Sequence, residues 1–166
     1  MTYHHFIDGK CHSSGVSSGI GEATALKFAS LKDINNLYNI VVTGSEEMKV
    51  KNVAAKCRRV VSHAQRVIEI VGNCDTDSMA AEEVMRTVIN EFGRLDTLVT
   101  HDGAVIYHSM AEEKLMDIFD EVINSNLRSV LRLIQLAVPH LEKTKGSIVN
   151  VSSLAAIKPV IIFQTF

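Results

Sequence analysis

Residues 14–21 combine three glycines with a helical pattern that follows directly, and their spacing suits the binding of an anion. Gly15, Gly19 and Gly21 allow backbone N–H groups to approach a pyrophosphate, whose charge would then sit at the amino end of a helix. A glycine- and serine-rich turn that only caps the helix explains the same residues. The surrounding elements must therefore decide between a dinucleotide loop and a cap.

Other kinds of site find less support in the sequence. Cys11, Cys57 and Cys74 are too far apart for a C-x-x-C pair, and the seven histidines show no metal-ligand spacing. We therefore expect no metal, and reduced thiols in the cytoplasm.

The composition narrows the range of partners. The chain has 166 residues and a net charge of −2, so it offers no electrostatic footprint for nucleic acid. No apolar run approaches the roughly 18 residues that span a bilayer, and the start of the chain lacks the pattern of a signal peptide. We expect neither a nucleic-acid nor a membrane partner.

Two alternating periods predict the elements that must position the glycines. Short β-branched runs indicate strands at 38–43, 66–71, 95–100 and 147–152. Helical spacing indicates helices at 19–31, 46–60, 77–92 and 111–141. Strands that alternate with helices at this pitch predict an α/β fold with a parallel sheet, in a single domain over residues 1–166. Ligands of such sheets bind beyond the carboxyl ends of the strands.

Four motifs in this order resemble the short-chain dehydrogenases/reductases. They are the glycine pattern Gly15-x-x-x-Gly19-x-Gly21, a strand at 94–99, a helix segment at 124–130 that contains Asn126, and a strand at 146–153 that ends in Ser153. The resemblance implies a Rossmann-like doubly wound parallel sheet with helices on both faces.

The resemblance also implies roles for individual residues. It implies an NAD(P)-dependent oxidoreductase, in which Ser153 hydrogen-bonds the carbonyl oxygen of the substrate and Asn126 helps to position a proton-relay water. Ser152 is the neighbour that the match does not select. The residues expected to bind the cofactor are Ser14, Gly15, Ser17, Ser18, Gly19, Ile20, Gly21, Asp75 and Gly103.

The chain departs from the family pattern in three places. The stretch expected to form the opening strand, 9–14, is polar. The segment 100–103 keeps only Gly103 of the family's Asn-Asn-Ala-Gly, which puts the support of the sheet and of the adenosine side in doubt. The family's catalytic Tyr-x-x-x-Lys is absent, since the last tyrosine is Tyr107 and the last lysine is Lys158.

These departures lead to two functional hypotheses. In the first, the chain is a C-terminally truncated dehydrogenase/reductase that is inactive alone. In the second, it is a non-catalytic remnant that binds dinucleotide weakly or pairs with a full-length relative. Both leave the apolar helix at 111–141 uncovered, so we expect a homo-oligomer or aggregation through it.

The choice of nucleotide depends on the tip of the second strand. Residues 42–45 contain neither an acid for the adenosine ribose nor an arginine for a 2′-phosphate, and we expect NADP or NAD, with NADP favoured. After the third strand, Asn73 or Asp75 could lie against the adenine. A turn that caps the helix from Asp77 explains these residues equally well.

Overall fold

Five parallel strands form one sheet in the computed structural model of the chain, which describes residues 2–9, 19–31, 36–72, 78–101, 103, 113–153 and 157. The spatial order of the strands is β3-β2-β1-β4-β5. The strands are β1 (Thr2–Gly9), β2 (Asn36–Gly44), β3 (Val67–Val71), β4 (Thr97–Thr100) and β5 (Ser147–Asn150). The predicted α/β fold and its parallel sheet are confirmed.

Helices connect the strands and cover the sheet. They are α1 (Gly19–Ala29), α2 (Glu47–Val60), α3 (Ser78–Phe92), α4 (Leu115–Ile123) and α5 (Ser129–Thr144), with a π-helical segment (Asn124–Arg128) between the last two. The long helix predicted at 111–141 is thus a continuous helical run in three parts, whose middle part has i→i+5 hydrogen bonding.

Alternation along the strands sorts the core into two layers, because successive side chains of a strand point to opposite faces. Ile40 and Val42 of β2 pack with α1 and α2, whereas Val41 packs with α3 and α5. In β4, Val99 joins the first layer and Leu98 the second. Both faces of the central sheet are therefore covered by helices.

The position of β1 corrects the sequence analysis. The stretch 9–14 was expected to open the sheet, but Thr2–Gly9 pairs with β2 on one side and β4 on the other. Residues 3–7 contain two aromatic residues and an isoleucine, which favour strands, whereas 10–14 are polar. The connection from Gly9 to Gly19, and with it His12 and Ser13, lies outside the described residues.

Between α5 and β5, the backbone at Gly146 passes close to the backbone at Asp96. Lys145 adopts a left-handed conformation with φ of 55°, and a Cβ on Gly146 would stand 2.5 Å from the carbonyl oxygen of Asp96. That carbonyl accepts a hydrogen bond from the N–H of Ser147 at 2.9 Å. The hydroxyl of Thr144 donates to the carbonyl of Leu95 at 2.6 Å. These contacts fix where β5 begins beside β4.

None of the helices in the described part of the chain is both long and apolar enough to cross a bilayer.

Candidate functional site

The amino end of α1 lies at the carboxyl edge of the sheet and opens with Gly19 at φ of 68°. Residues other than glycine rarely adopt this conformation. Apart from its chain neighbours and its own helix, no described residue has an atom within 4 Å of the place where a Cβ of Gly19 would stand, and the next side chain, Ile20, is exposed. The N–H groups and the dipole of this helix end would attract an anion.

The third glycine of the pattern is buried against a histidine. A Cβ on Gly21 would overlap atoms Nε2 and Cε1 of His101 and would stand 2.9 Å from its Cδ2. His101 is the first residue after β4 and is half-buried. The contact brings the first turn of α1 and the end of β4 together, as the third glycine of a dinucleotide loop does by allowing close helix–strand packing.

Thr100 joins the ends of β4 and β5. Its hydroxyl donates to Oδ1 of Asn150 at 2.6 Å, and its carbonyl accepts from the N–H of Val151 at 2.7 Å. The sequence analysis questioned whether residues 100–103 could support the sheet here. The structure shows that Thr100 makes the cross-strand link.

Asn126 lies over Gly103. A Cβ on Gly103 would stand 3.4 Å from Oδ1 of Asn126 and 3.6 Å from its Cγ. These are ordinary van der Waals distances for the added Cβ, so the amide of Asn126 lies beside the segment that follows β4. Two residues that the sequence assigned to different roles are thus brought close together.

The π-helical segment that carries Asn126 has a local cause in the sequence. The N–H of Ser129 donates to the carbonyl of Asn124, five residues back, instead of that of Ser125. The hydroxyl of Ser129 donates to the carbonyl of Ser125 at 2.5 Å. Both serines are buried, where a carbonyl without a donor is costly. The hydroxyl therefore compensates for the displaced backbone bond.

The remaining predicted residues divide into two groups. Ser153 is exposed and follows β5 by three residues, at the same edge of the sheet as Thr100. Its contact with a substrate stays a prediction. The others lie outside the described residues, so their assignment is also still a prediction: Ser14, Gly15, Ser17, Ser18, Asn73 and Asp75.

The tip of β2 forms the other side of the edge. The N–H of Gly72 donates to the carbonyl of Gly44 at 3.0 Å, which joins the ends of β2 and β3. Glu46 is engaged by Nζ of Lys49 at 2.5 Å. Thr43 is buried, and its hydroxyl has no hydrogen-bond partner among the described residues. The edge therefore carries an ion-paired carboxylate and a buried hydroxyl.

The described residues contain no cluster of three or more histidine, cysteine, aspartate or glutamate side chains that could hold a metal ion.

The sequence analysis missed His101 and Ser129. His101 was noted only as a departure from a family motif, because the sequence does not show that it meets Gly21. The contact of Ser129 could have been predicted from the sequence. Ser129 stands four residues after Ser125, and the hydroxyl of a helical serine can donate to the carbonyl four residues before it.

The geometry defines the class of protein. A parallel sheet of this order, with a glycine-bearing helix end at its carboxyl edge, is the Rossmann-type nucleotide-binding architecture. The sequence model described as "short chain dehydrogenase" matches residues 14–166. The chain belongs to the short chain dehydrogenase family, whose members bind NAD(P).

Individual relatives agree with the family. The chain is 34% identical over 153 residues to the 3-oxoacyl-(acyl-carrier-protein) reductase FabG of Thermotoga maritima, covering 91% of this chain and 58% of that protein. The solved glucose dehydrogenase of Caenorhabditis elegans, in its apo form, shares 32% identity with a TM-score of 0.72, covering 92% of this chain and 55% of that one.

A third relative was solved with its cofactor. It is a short-chain dehydrogenase/reductase of unknown function from Caenorhabditis elegans, with 27% identity and a TM-score of 0.78, covering 96% of this chain and 55% of that one. The chain spans about half the length of the curated relatives it matches.

Proposed function

We propose that the chain is the dinucleotide-binding portion, over residues 1–166, of an oxidoreductase that transfers hydride between NAD(P)H and a carbonyl or secondary alcohol. The amino end of α1 carries this proposal. Gly19 holds a conformation suited to glycine there, and no described residue beyond its neighbours has an atom within 4 Å of its Cβ position. The nucleotide would supply the hydride.

The chain's own residues would orient the reactants. The N–H groups at the start of α1 would hold the pyrophosphate, and Gly103 would let Asn126 approach the cofactor side of the edge. Ser153 would donate its hydroxyl to the substrate's oxygen. Because no Tyr-x-x-x-Lys occurs in the 166 residues, we propose that this chain alone does not turn over. General acid–base catalysis contributes roughly 10²–10⁴-fold.

A thermal melt tests the nucleotide site. NADPH at about 100 times its Kd adds about 2.7 kcal/mol to the free energy of unfolding, and the midpoint should rise accordingly. Gly19→Ala should abolish the rise. Gly93→Ala is the matched control, because Gly93 has φ of 72° and equally open surroundings but lies after α3. A wild-type melt that neither NADPH nor NADH shifts would refute the proposal.

The same melt ranks the nucleotides. Glu46 is held by Lys49 and no acid stands at the tip of β2 to bind the adenosine ribose, so we propose NADP over NAD. The rise with NADPH should exceed the rise with NADH at equal concentration. The opposite ranking would reverse this part of the proposal and leave the site itself intact.

The non-catalytic alternative rests on a different observation, the exposed apolar surface of the long helical run. A groove of about 470 Å³ is lined by Ile123, Leu127, Arg128, Leu131, Arg132 and Gln135. Leu127 is 50% exposed and Leu131 is 55% exposed, which is unusual for leucines on one face of a helix. We propose that a second copy of this chain covers the groove.

Sizing chromatography tests the association. Leu131→Lys should shift the wild-type oligomer to a monomer of 18.3 kDa. Met48→Lys on α2 is the matched control, because Met48 is 70% exposed but stands away from the groove, and it should leave the elution unchanged. A wild-type protein that elutes as a sharp monomer would contradict the self-association. Complex formation only with a full-length relative would favour the remnant.

Turnover tests the two functional hypotheses against each other. The purified chain should not oxidise NADPH above background with a panel of ketones, aldehydes and quinones. Turnover above background would refute both the proposed inactivity and the remnant.

A further inference from the structure

We propose that His101 is a positioning residue for the nucleotide: its imidazole sets the distance between the amino end of α1 and the end of β4. The inference rests on the proposed function, because it concerns how the same site holds its ligand. It assigns a task to a residue that the family pattern marks only as a departure.

The contact is tight on the side of the helix. Gly21 is buried, and any side chain there would collide with Nε2 and Cε1 of the ring. Gly19, two residues earlier, has no described residue beyond its neighbours within 4 Å of its Cβ position. Among the described residues, His101 therefore packs on the turn of α1 at Gly21 and not at Gly19.

The contact is also anchored on the side of the sheet. His101 follows Thr100, whose hydroxyl and carbonyl are both bonded to the residues at the end of β5. Two residues further, Gly103 receives the amide of Asn126. The ring therefore stands between the helix end that would hold the phosphates and the segment that would face the reacting end of the cofactor.

The neighbouring charge on α1 is already compensated. Glu22, next to Gly21, is engaged by Nζ of Lys56 on α2 at 2.5 Å. The carboxylate is thus held toward α2, and the ring of His101 limits how closely a side chain at position 21 could approach β4. A methyl group at position 21 or the loss of the ring should change the position of α1 relative to β4.

A double-mutant cycle on the Kd for NADPH tests this. Gly21→Ala should weaken binding severalfold, since the new methyl group must displace either the His101 ring or the helix end. His101→Ala should weaken binding severalfold, because the first turn of α1 loses the ring that it packs against at Gly21. The double variant G21A/H101A should bind more tightly than G21A, because the space left by the ring accepts the new methyl group.

The readout separates positioning from folding. Binding is measured well below the lowest melting midpoint of the four proteins, so that each is fully folded. If the melting midpoints change but all folded variants bind NADPH as the wild type does, the contact is only structural and the inference is wrong. If G21A does not fold, the wild type and H101A still compare binding with and without the ring.

The two proposals fail in different ways. A wild-type chain that binds neither NADPH nor NADH refutes the proposed function, and the positioning role with it. A wild-type chain that binds NADPH, together with an H101A variant of unchanged Kd and a double variant no better than G21A, refutes only the role of His101.

Discussion

The strands β2 and β5 are both parallel, both rich in β-branched residues, and opposite in environment. Ile40, Val41 and Val42 of β2 have no measurable exposure, whereas all four residues of β5 are exposed. Strand β2 lies between two strands and under helices on both faces, while in the described part of the chain β5 has one neighbouring strand, β4. The β-branched residues therefore predict that both segments form strands. The number of neighbouring strands and helices determines how deeply each strand is buried.

An isoleucine in each strand gives the largest expected contrast. Ile40→Ala should lower the free energy of unfolding by about 2–5 kcal/mol, because it leaves a cavity in a fully enclosed layer. Ile148→Ala, the same change at a 36% exposed position, should cost about 1 kcal/mol or less. Urea unfolding of the two variants measures the difference. Equal losses would mean that β5 is enclosed in solution.

Gly146→Ala tests whether β5 is held by backbone contact instead of burial. The new Cβ would meet the carbonyl oxygen of Asp96 at 2.5 Å and Cδ2 of Leu141 at 2.6 Å. We expect a loss of about 1–3 kcal/mol in the free energy of unfolding. Hydrogen exchange should show faster exchange of the Ser147 amide. An unchanged exchange rate would show that the contact does not hold the strand.

Ser129→Ala tests α5, the helix that packs against α3 and β4 and leads into β5. Removal of the hydroxyl leaves the buried Ser125 carbonyl without this donor, and we expect a loss of about 1 kcal/mol. Ser30→Ala is the control, since its hydroxyl also donates to a helical carbonyl, that of Lys27, but is exposed. Thermal melts of both variants compare the losses. Equal effects would argue against the compensation at the π-helical segment.

The pair of Glu47 and Lys51 on α2 should have the smallest effect. Their hydrogen bond lowers the pKa of Glu47 below its usual 4.5 and raises the pKa of Lys51. The Glu47 contribution is present above the unfolded pKa and is lost as the pH falls through the folded pKa. The Lys51 contribution is lost only as the pH rises through its own folded pKa.

Both groups are fully exposed, so solvent screens their attraction. The melting midpoint of Lys51→Met should match that of the wild type at pH 7, and the acid limbs of the two stability profiles should superimpose. A clear loss would mean that surface charge, and not enclosure alone, stabilises the layer over β2.

The sequence predicted most of the fold because its periods are strong. The helix predicted at 46–60 is Glu47–Val60, and the strand predicted at 38–43 is Asn36–Gly44. The opening strand was placed wrongly because the family pattern puts it immediately before the glycines. The structure instead leaves residues 10–18 between β1 and α1.

The site was predictable as a set of positions but not as a set of contacts. Gly103 and Asn126 were each chosen from a motif, and only the folded chain shows that they lie close together. The close approach of the His101 ring to Gly21 likewise cannot be predicted from the sequence. The two residues are 80 positions apart, and their distance depends on how closely α1 approaches β4.

The central position of β1 has a consequence in time. Phe6 pairs with Thr97, a residue about ninety positions later, and four such pairs between β1 and β4 join one side of the sheet to the other. At roughly 5–20 residues per second on the ribosome, roughly 5–18 s pass between the synthesis of β1 and the synthesis of β4. Through this interval β1 can pair with β2 while its other edge still has no strand beside it. The order of synthesis thus makes the seam between β1 and β4 the last long-range closure before β5 can add.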